Sequence, residues 1–374
     1  MLFGLMLAYI INYGFYFTHD SIQWRFPLLF QLVFAAYILC LTPFLPDSPR
    51  WLLRHDDSSE RGLLVLANLR NKTIDDLTVR KEADDIIEAI ELESRVEGSW
   101  MDLFRDGGLQ TNKRFYLALG IQFMQQLSGI NIVTYYAPTI FQSSLGMSGR
   151  MSLLMGLLLQ VWYFVASFVT WFTIDRIGRR KLFISMALGM CAVLIAEAVC
   201  VAISNKSAGI GAVFFVFAFE ACFTWGWMAT VWVYPAEILP LSIRAKGAAL
   251  AAAADFLGNF LVVEVTPVGV ANLGFGFYFI WAALNFINAA IVWLFYPETA
   301  NLPLESVDLL FTSSALAKQE KQPFHRKLQW SVVGRAAAES KRKRDLHVTE
   351  LGHADATKVE VGGGKMDQEH VERL

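Results

Sequence analysis

The sequence predicts an all-α polytopic membrane protein, a bundle of about eight transmembrane helices. Hydrophobic residues make up 55% of the 374 residues and charged residues only 18%, which is less charge than a soluble domain carries. Apolar stretches long enough to cross a bilayer recur along the chain, and none alternates as the strands of a barrel do. Basic residues collect in alternate loops, as the positive-inside rule expects.

The predicted spans are apolar segments of roughly 20 residues, the length of helix that crosses the hydrocarbon core. They cover residues 2–17, 26–45, 115–141, 152–174, 182–203, 210–234, 246–268 and 274–296. The first has no basic leader and ends in Asn12, Tyr13 and Tyr16, so we do not expect it to be a cleaved signal peptide.

Basic residues are concentrated in the predicted loops 46–114, 175–181 and 235–246 and are sparse in the loops near 18–25, 142–151, 204–209 and 269–273. The positive-inside rule therefore predicts that the first set is cytoplasmic. Both chain ends are then cytoplasmic, and we expect the protein in the plasma membrane.

The connection 46–114 carries two amphipathic segments. One starts after Ser58-Ser59-Glu60, and the other runs from Ala83 to Leu92. We therefore expect a small helical cytoplasmic domain. From about residue 312 the tail lacks apolar periodicity and is predicted to be disordered. Its basic run, 341–344, is either solvated or in contact with anionic lipid.

Three glutamines in the third predicted span lie on one helix face, because Gln122, Gln125 and Gln126 are spaced i, i+3 and i+4. An unpartnered polar side chain in hydrocarbon costs several kcal/mol. These amides therefore face a ligand or water, or they hydrogen-bond to neighbouring helices. Amides donate and accept hydrogen bonds as sugar hydroxyls do, so the segment is interpreted as the wall of a site for an uncharged polyol.

Six motifs follow one another in a recognisable order. They are Pro46-Asp47-Ser48-Pro49-Arg50, Gln125-Gln126-Leu127-Ser128-Gly129-Ile130-Asn131, Asp175-Arg176-Ile177-Gly178-Arg179-Arg180, Tyr234-Pro235-Ala236-Glu237, Arg244-Ala245-Lys246-Gly247 and Pro297-Glu298-Thr299. This set resembles the sugar-porter family of the major facilitator superfamily. The stretch from Gly247 to Asp308 looks most like the fungal hexose and lactose permeases of that family.

The resemblance implies a helix bundle of twelve spans in two six-helix halves. Aligned to it, this chain starts within the fifth span and is expected to be an N-terminally truncated transporter. Residues 1–45 would be the last two spans of the N-terminal half, and 46–114 the cytoplasmic helical loop domain. Residues 115–297 would be the complete C-terminal half, and 298–374 a largely disordered cytoplasmic tail.

The resemblance also assigns binding residues. In that family the adjacent glutamines and the asparagine hydrogen-bond the sugar, and a tyrosine pair closes the outer side. Ser128-Gly129 is expected to loosen the helix so that Asn131 and Tyr135 turn toward one cavity. Trp232 matches a tryptophan beside the sugar, although a tryptophan of the membrane interface is the alternative. The predicted substrate-binding residues are Gln122, Gln125, Gln126, Asn131, Tyr135, Tyr136, Trp232, Asp255 and Asn259.

Two features of the last spans leave alternatives open. Asp255 stands where the family often has asparagine, so it either binds a hydroxyl or moves a proton, or lies near a helix start and is wetted from the cytoplasmic side. Glu264 and Glu220 carry the same ambiguity.

The family usually has prolines before the tryptophan, and their absence here predicts a less kinked helix.

Charged residues at span ends on the predicted cytoplasmic face form a candidate gate. In the family they pair between helices and stabilise the outward-open state, and topology signals alone would not need the carboxylates. We expect the absent helices to hold the charges opposite Arg179, Arg180 and Glu237. The full predicted set is Arg50, Asp175, Arg176, Arg179, Arg180, Glu237, Arg244 and Glu298.

The sequence contains no catalytic constellation, metal-ligand spacing or nucleotide loop, so we expect neither an enzyme nor a bound cofactor, metal or nucleic acid. The predicted partners are a sugar, membrane lipid and, where transport is proton-coupled, protons. The predicted function is transport of a hexose or disaccharide by alternating access, facilitated or proton-coupled. The alternatives are a sugar sensor of the same fold and an inactive fragment of a transporter.

Overall fold

The computed structural model describes residues 2–18, 20–55, 60–96, 98–105, 110–143, 146–203 and 205–300, with the single positions 302, 307 and 311. These residues form helices, with no strand among them. The α-helices are α1 (Leu2–Phe15), α2 (Ile22–Leu41), α3 (Pro49–His55), α4 (Glu60–Arg70), α5 (Leu77–Val96), α6 (Thr111–Gln126), α7 (Ile130–Ser143), α8 (Gly149–Ile177), α9 (Arg179–Ile203), α10 (Lys206–Phe223), α11 (Thr230–Ile238), α12 (Arg244–Leu273) and α13 (Gly276–Phe295).

Six stretches of the described chain are long and apolar enough to cross a membrane: Ile22–Phe44, Gly149–Ile177, Arg179–Ile203, Ser207–Ile238, Leu241–Leu273 and Gly276–Phe295. The first predicted span corresponds to α1, a shorter apolar helix. The third is divided into α6 and α7. The prediction of an all-α polytopic bundle is therefore confirmed.

The long helices share one apolar core. Its centre is an aromatic group in which the Phe183 ring lies 5.1 Å from Trp227 and 5.8 Å from Tyr234, measured between ring centroids. Trp227 also donates from Nε1 to the Phe183 carbonyl over 3.0 Å. These contacts hold α9 against the α10–α11 span, and α9 also packs against α13.

The N-terminal helix packs on the following bundle. Phe3 of α1 lies edge-on to Phe164 of α8, and the Tyr9 hydroxyl donates to the Thr134 carbonyl of α7 over 2.6 Å. By contrast, α2 has no buried residue, and Leu39 is 74% exposed. An apolar surface of this kind requires lipid or another protein segment to cover it.

A small second core joins α3, α4 and α5 through Leu53, Leu66, Ala67, Val79 and Ala83. Here α4 and α5 cover the two segments predicted to be amphipathic, and α3 is an additional helix.

The small helices are tied to the bundle at Gly98, which donates to the Ser242 carbonyl over 2.9 Å and accepts from Lys246 Nζ over 2.7 Å. In the C-terminal segment, the Phe311 ring packs against the Arg114 guanidinium. The predicted disordered tail, with its basic run, lies outside the described residues.

Candidate functional site

The third predicted span breaks at residues 127–129, between α6 and α7. Gly129 takes a φ of +90°, a conformation that favours glycine, and a Cβ there would lie 3.3 Å from the Trp281 ring. The Ser128 hydroxyl donates to the Gln125 carbonyl over 2.6 Å. The glycine and serine thus permit the turn that was expected to loosen this helix.

Two asparagines of α13, which the sequence reasoning missed, hold the break in place. Asn285 donates to the carbonyls of Ser128 and Trp281, each over 2.9 Å. Asn288 donates to the Met124 carbonyl over 3.2 Å. Helix ends leave carbonyls without an intrahelical partner, and buried amides supply the donors. The sequence signal that could have found them is a pair of amide side chains three residues apart in an apolar span.

The break places three predicted residues in one polar cluster. Gln126 donates from Nε2 to Asp255 Oδ1 over 2.6 Å, and its Oε1 accepts from Asn131 Nδ2. The contact with α12 is close because Gly258 faces Gln126, where a Cβ would lie 3.0 Å from the glutamine Cβ. Asp255 is 4% exposed and lies about three turns into α12. The interpretation that it is wetted at a helix start is therefore wrong.

The other two glutamines contact the α10–α11 span. Gln125 Nε2 donates to the Trp227 carbonyl over 3.1 Å, and Gln122 Nε2 donates to the Val231 carbonyl over 3.3 Å. Between α10 and α11 the backbone forms a π-helical turn, Thr224–Met228. The missing prolines predicted a less kinked helix, and the π turn is an interruption of the span that needs no proline.

The remaining predicted binding residues do not join this cluster. The Tyr136 hydroxyl donates to the Val263 carbonyl over 3.3 Å. Asn259 is partly exposed, one turn beyond Asp255 on α12. Tyr135 is 51% exposed and Trp232 49%, so these two aromatic residues lie at the surface of the bundle.

A charge network connects the ends of α8, α9 and α11. Arg179 donates from Nη1 to Asp175 Oδ1 over 2.8 Å and lies 2.9 Å from Glu237 through Nη2. The side chains of the pair are only 10% and 16% exposed, so solvent screens them less than a surface pair. Thr299 donates to the other Glu237 oxygen over 2.5 Å. Arg179 and Glu237 therefore pair within this chain, and the expectation that absent helices hold their opposing charges is wrong.

Glu298 occupies the N-terminus of α9. Its carboxylate accepts from the backbone N–H of Arg179 over 2.8 Å and of Arg180 over 3.1 Å. A carboxylate at this position complements the helix dipole and the unpaired N–H groups. Gly178, with φ +96°, leaves the space that Glu298 fills, since a Cβ would lie 2.6 Å from Glu298 Oε2. Arg180 in turn donates to the Trp293 carbonyl of α13.

The other predicted gate residues lie elsewhere on the structure. Arg244 donates from Nε to the Leu239 carbonyl over 3.1 Å. Arg50 and Arg176 are exposed on α3 and at the end of α8. The network described above therefore consists of Asp175, Arg179, Glu237, Glu298 and Thr299, with Arg180 anchored to α13 beside it.

The chain is similar to several known proteins. Residues 1–311 match the protein family described as "Sugar (and other) transporter". The sequence is 35% identical over 373 residues to the MFS-type transporter oryC of Aspergillus oryzae, covering 95% of this chain and 69% of that protein. It is 31% identical over 353 residues to the sugar transporter STL1 of Saccharomyces cerevisiae, covering 94% of this chain and 60% of that protein.

Solved structures of a xylose transporter share the fold. The inward-open conformation of XylE from E. coli has a TM-score of 0.66 at 25% identity, covering 83% of this chain and 63% of that chain. The proton:xylose symporter XylE bound to 6-bromo-6-deoxy-D-glucose has a TM-score of 0.64 at 27% identity, covering 83% of this chain and 65% of that chain. The chain thus spans only about two thirds of the length of these relatives.

Proposed function

Because the chain belongs to the sugar transporter family of the major facilitator superfamily, we propose that it forms the sugar-binding half of a transporter that works by alternating access. The observation that carries this proposal is a cluster of buried polar side chains where α6 and α7 pack against α12 and the α10–α11 span: Gln122, Gln125, Gln126, Asn131 and Asp255. The substrate is an uncharged sugar, a hexose or a disaccharide, and transport is facilitated or proton-coupled.

The chemistry of the cluster fits an uncharged polyol. Each amide side chain offers two N–H donors and a carbonyl acceptor, and a sugar hydroxyl both donates and accepts. Gln126 uses its amide to join Asp255 and Asn131, and these are bonds that a hydroxyl can exchange with little net change in energy. The amides therefore hold the helices together without sugar and bind hydroxyls when sugar enters.

The helix break and the charge network supply the moving parts. Alternating access in such folds uses discontinuous helices around a site near the bilayer midplane. Here the break at Gly129 adjoins Asn131, and Arg179 and Glu237 connect span ends. We infer that this network is a gate, that α3–α5 and both chain ends are cytoplasmic, and that the protein resides in the plasma membrane.

The test is uptake of labelled hexoses and disaccharides by transport-deficient yeast, with and without a proton uncoupler. Residues 1–374 are expressed alone and fused behind the first helices of the yeast relative STL1. We expect saturable uptake by the fusion and none by residues 1–374 alone, because the added STL1 helices supply the opposite wall of the cavity. An uncoupler that abolishes uptake identifies proton coupling.

The matched variants are Gln125→Ala, in the cluster, and Gln142→Ala, at an exposed position on α7. A hydrogen bond to a neutral ligand contributes about 0.5–1.5 kcal/mol, so Gln125→Ala should weaken sugar affinity about 2- to 10-fold while Gln142→Ala does not. A folded fusion that takes up none of the sugars, or uptake unaffected by Gln125→Ala, would contradict the proposal.

A further inference from the structure

A small cavity lies inside the bundle, on the side of α7 away from the amide cluster. It has a volume of about 20 Å³, and its walls come from α7, α9, α10 and α13. Most of the lining is apolar, including Ile140, Leu194 and Val216. The polar side chains that reach it are Glu197, Tyr278 and Trp281.

Glu197 is an ionisable group that the proposed transport mechanism does not use. It is 2% exposed, and its Oε2 accepts no hydrogen bond from any described residue. The indole Nε1 of Trp281, on the same cavity, likewise donates to none of them. A buried polar group without a partner is expensive, and an ionised one far more so. A partner other than the described residues is therefore needed to satisfy this pair.

No counter-charge lies on the cavity wall. Of the described residues that line it, Glu197 and Tyr278 are the titratable ones, and none is basic. On α10, Glu220 lies one turn beyond Val216, does not line the cavity, and interacts electrostatically with Tyr9 and Tyr163. A metal cation would require several oxygen ligands, and this apolar wall does not supply them. A proton on Glu197 removes the charge at no steric cost.

We propose that Glu197 is a proton-binding site and that the cavity holds a water molecule bridging its carboxyl group to the Trp281 N–H. The volume is close to that of one water, and a buried water is held in a cavity of this size where two or more polar groups face it. Loss of the proton to solvent leaves a carboxylate that draws in more water. That hydration loosens α7 from α9 and α13.

The link to α7 follows from two contacts. Ile132, Val133, Ala137, Ile140 and Phe141 of α7 form one wall of the cavity, and Trp281 of α13 packs directly on Gly129 at the helix break. Protonation of Glu197 therefore fixes the position of α7 relative to the break. This inference concerns the chain itself and does not depend on which sugar, if any, is transported.

Infrared difference spectroscopy on residues 1–374 in lipid nanodiscs tests the proton site. The spectrum of the wild type minus that of Glu197→Gln should contain the C=O stretch of a protonated carboxyl group near neutral pH. It should change to carboxylate bands at alkaline pH. Glu220→Gln serves as the matched control and should leave the Glu197 band in place. Carboxylate bands for Glu197 at neutral pH would overturn the assignment.

Two further variants test the water and the coupling. Trp281→Phe keeps an aromatic ring at this position but removes the N–H, and it should shift the Glu197 carboxyl stretch; an unshifted band would refute the bridging water. Hydrogen exchange of residues 130–143, corrected for the intrinsic effect of pH, should rise at alkaline pH in the wild type and stay constant in Glu197→Gln. Exchange that rises equally in both would refute the link to α7. Size-exclusion profiles verify that each variant is folded.

Discussion

Gln126 and Asp255, 129 residues apart in the sequence, are joined by a hydrogen bond of 2.6 Å between α6 and α12. Both side chains are buried, and Asn131 extends the contact across the helix break by donating to Gln126. The same residues that we propose as sugar ligands therefore also hold two membrane helices together in the absence of sugar. This double role determines which measurements separate binding from stability.

Replacing Gln126 should destabilise the bundle through Asp255. In Gln126→Leu the carboxyl group loses its amide donor, and a buried acceptor left without a partner costs about 1–3 kcal/mol. Asp255→Ala removes the acceptor as well. The double variant should therefore be less destabilised than the sum of the single variants, with a coupling energy of about 0.5–3 kcal/mol. Denaturation in detergent gives the free energy of unfolding of the wild type, the two single variants and the double variant.

The exposed Gln142 provides the control, and Gln142→Leu should leave the denaturation midpoint unchanged. Additive effects of Gln126→Leu and Asp255→Ala would show that the hydrogen bond contributes nothing to stability.

Gly178→Ala should be more damaging than Gly274→Ala or Gly276→Ala. Alanine at φ +96° is strained, and its Cβ would displace Glu298 from the N-terminus of α9. Gly274, with φ +51°, has nothing within 4 Å of the position that a Cβ would take, so Gly274→Ala carries strain alone, about 1–2 kcal/mol. Gly276→Ala has open space and no positive φ. We expect thermal stability to fall in the order Gly276→Ala, Gly274→Ala, Gly178→Ala.

Glu298→Gln measures the contribution of the Glu298 charge separately from that of its shape. It removes the charge from the helix N-terminus, which should cost about 0.3–1 kcal/mol, and it keeps the shape. If Gly178→Ala proved no worse than Gly274→Ala, the close contact with Glu298 would have no energetic weight.

Acid should loosen α5 through Asp76. Hydrogen bonds from the Thr78 hydroxyl, over 2.6 Å, and from its backbone N–H, over 2.8 Å, lower the pKa of Asp76 from 3.8 to about 2. A carboxyl group with a lowered pKa stabilises the fold fully above its unfolded value, and this contribution is lost as pH falls through the folded value. Hydrogen exchange of residues 77–96, corrected for intrinsic rates, should therefore accelerate between about pH 4 and pH 2.

Asp76→Asn cannot ionise and should remove this acid-induced change. Asp75→Asn, whose native carboxylate pairs with Arg80, is the control and should preserve the change. An identical pH response in wild type and Asp76→Asn would exclude Asp76 as its source.

The predicted orientation can be tested with glycosylation acceptors. The chain contains Asn71-Lys72-Thr73 and Asn205-Lys206-Ser207, but Asn205 caps α10 through Ala208 N over 2.7 Å, too close to the helix for reliable transfer. A flexible insertion carrying an acceptor should be glycosylated at Gly146, between α7 and α8, and remain unmodified at Lys72, between α4 and α5. An endoglycosidase shift reveals the glycan. A glycan at Lys72 or on Asn71 would reverse the topology.

Much of the fold could be predicted from sequence because spans depend on local hydropathy. The predicted segments 152–174 and 182–203 correspond to α8 and α9, and Ser128-Gly129 marked the helix break. The π turn at Thr224–Met228 could not be predicted this way, since no proline or local pattern signalled it. Asn285 and Asn288 were missed because amides in an apolar span resemble one another until the helices they contact are known.

The sequence by itself determined the all-α membrane class, the alternation of loop charge and the polar face of Gln122, Gln125 and Gln126, because each follows from residues a few positions apart. Only the tertiary structure decided the partners of those side chains. The Gln126–Asp255 contact forms because Gly258 lets α12 approach α6, and the Arg179–Glu237 pair forms because the start of α9 lies beside the end of α11. Such pairings depend on how closely distant helices approach, which neither composition nor periodicity encodes locally.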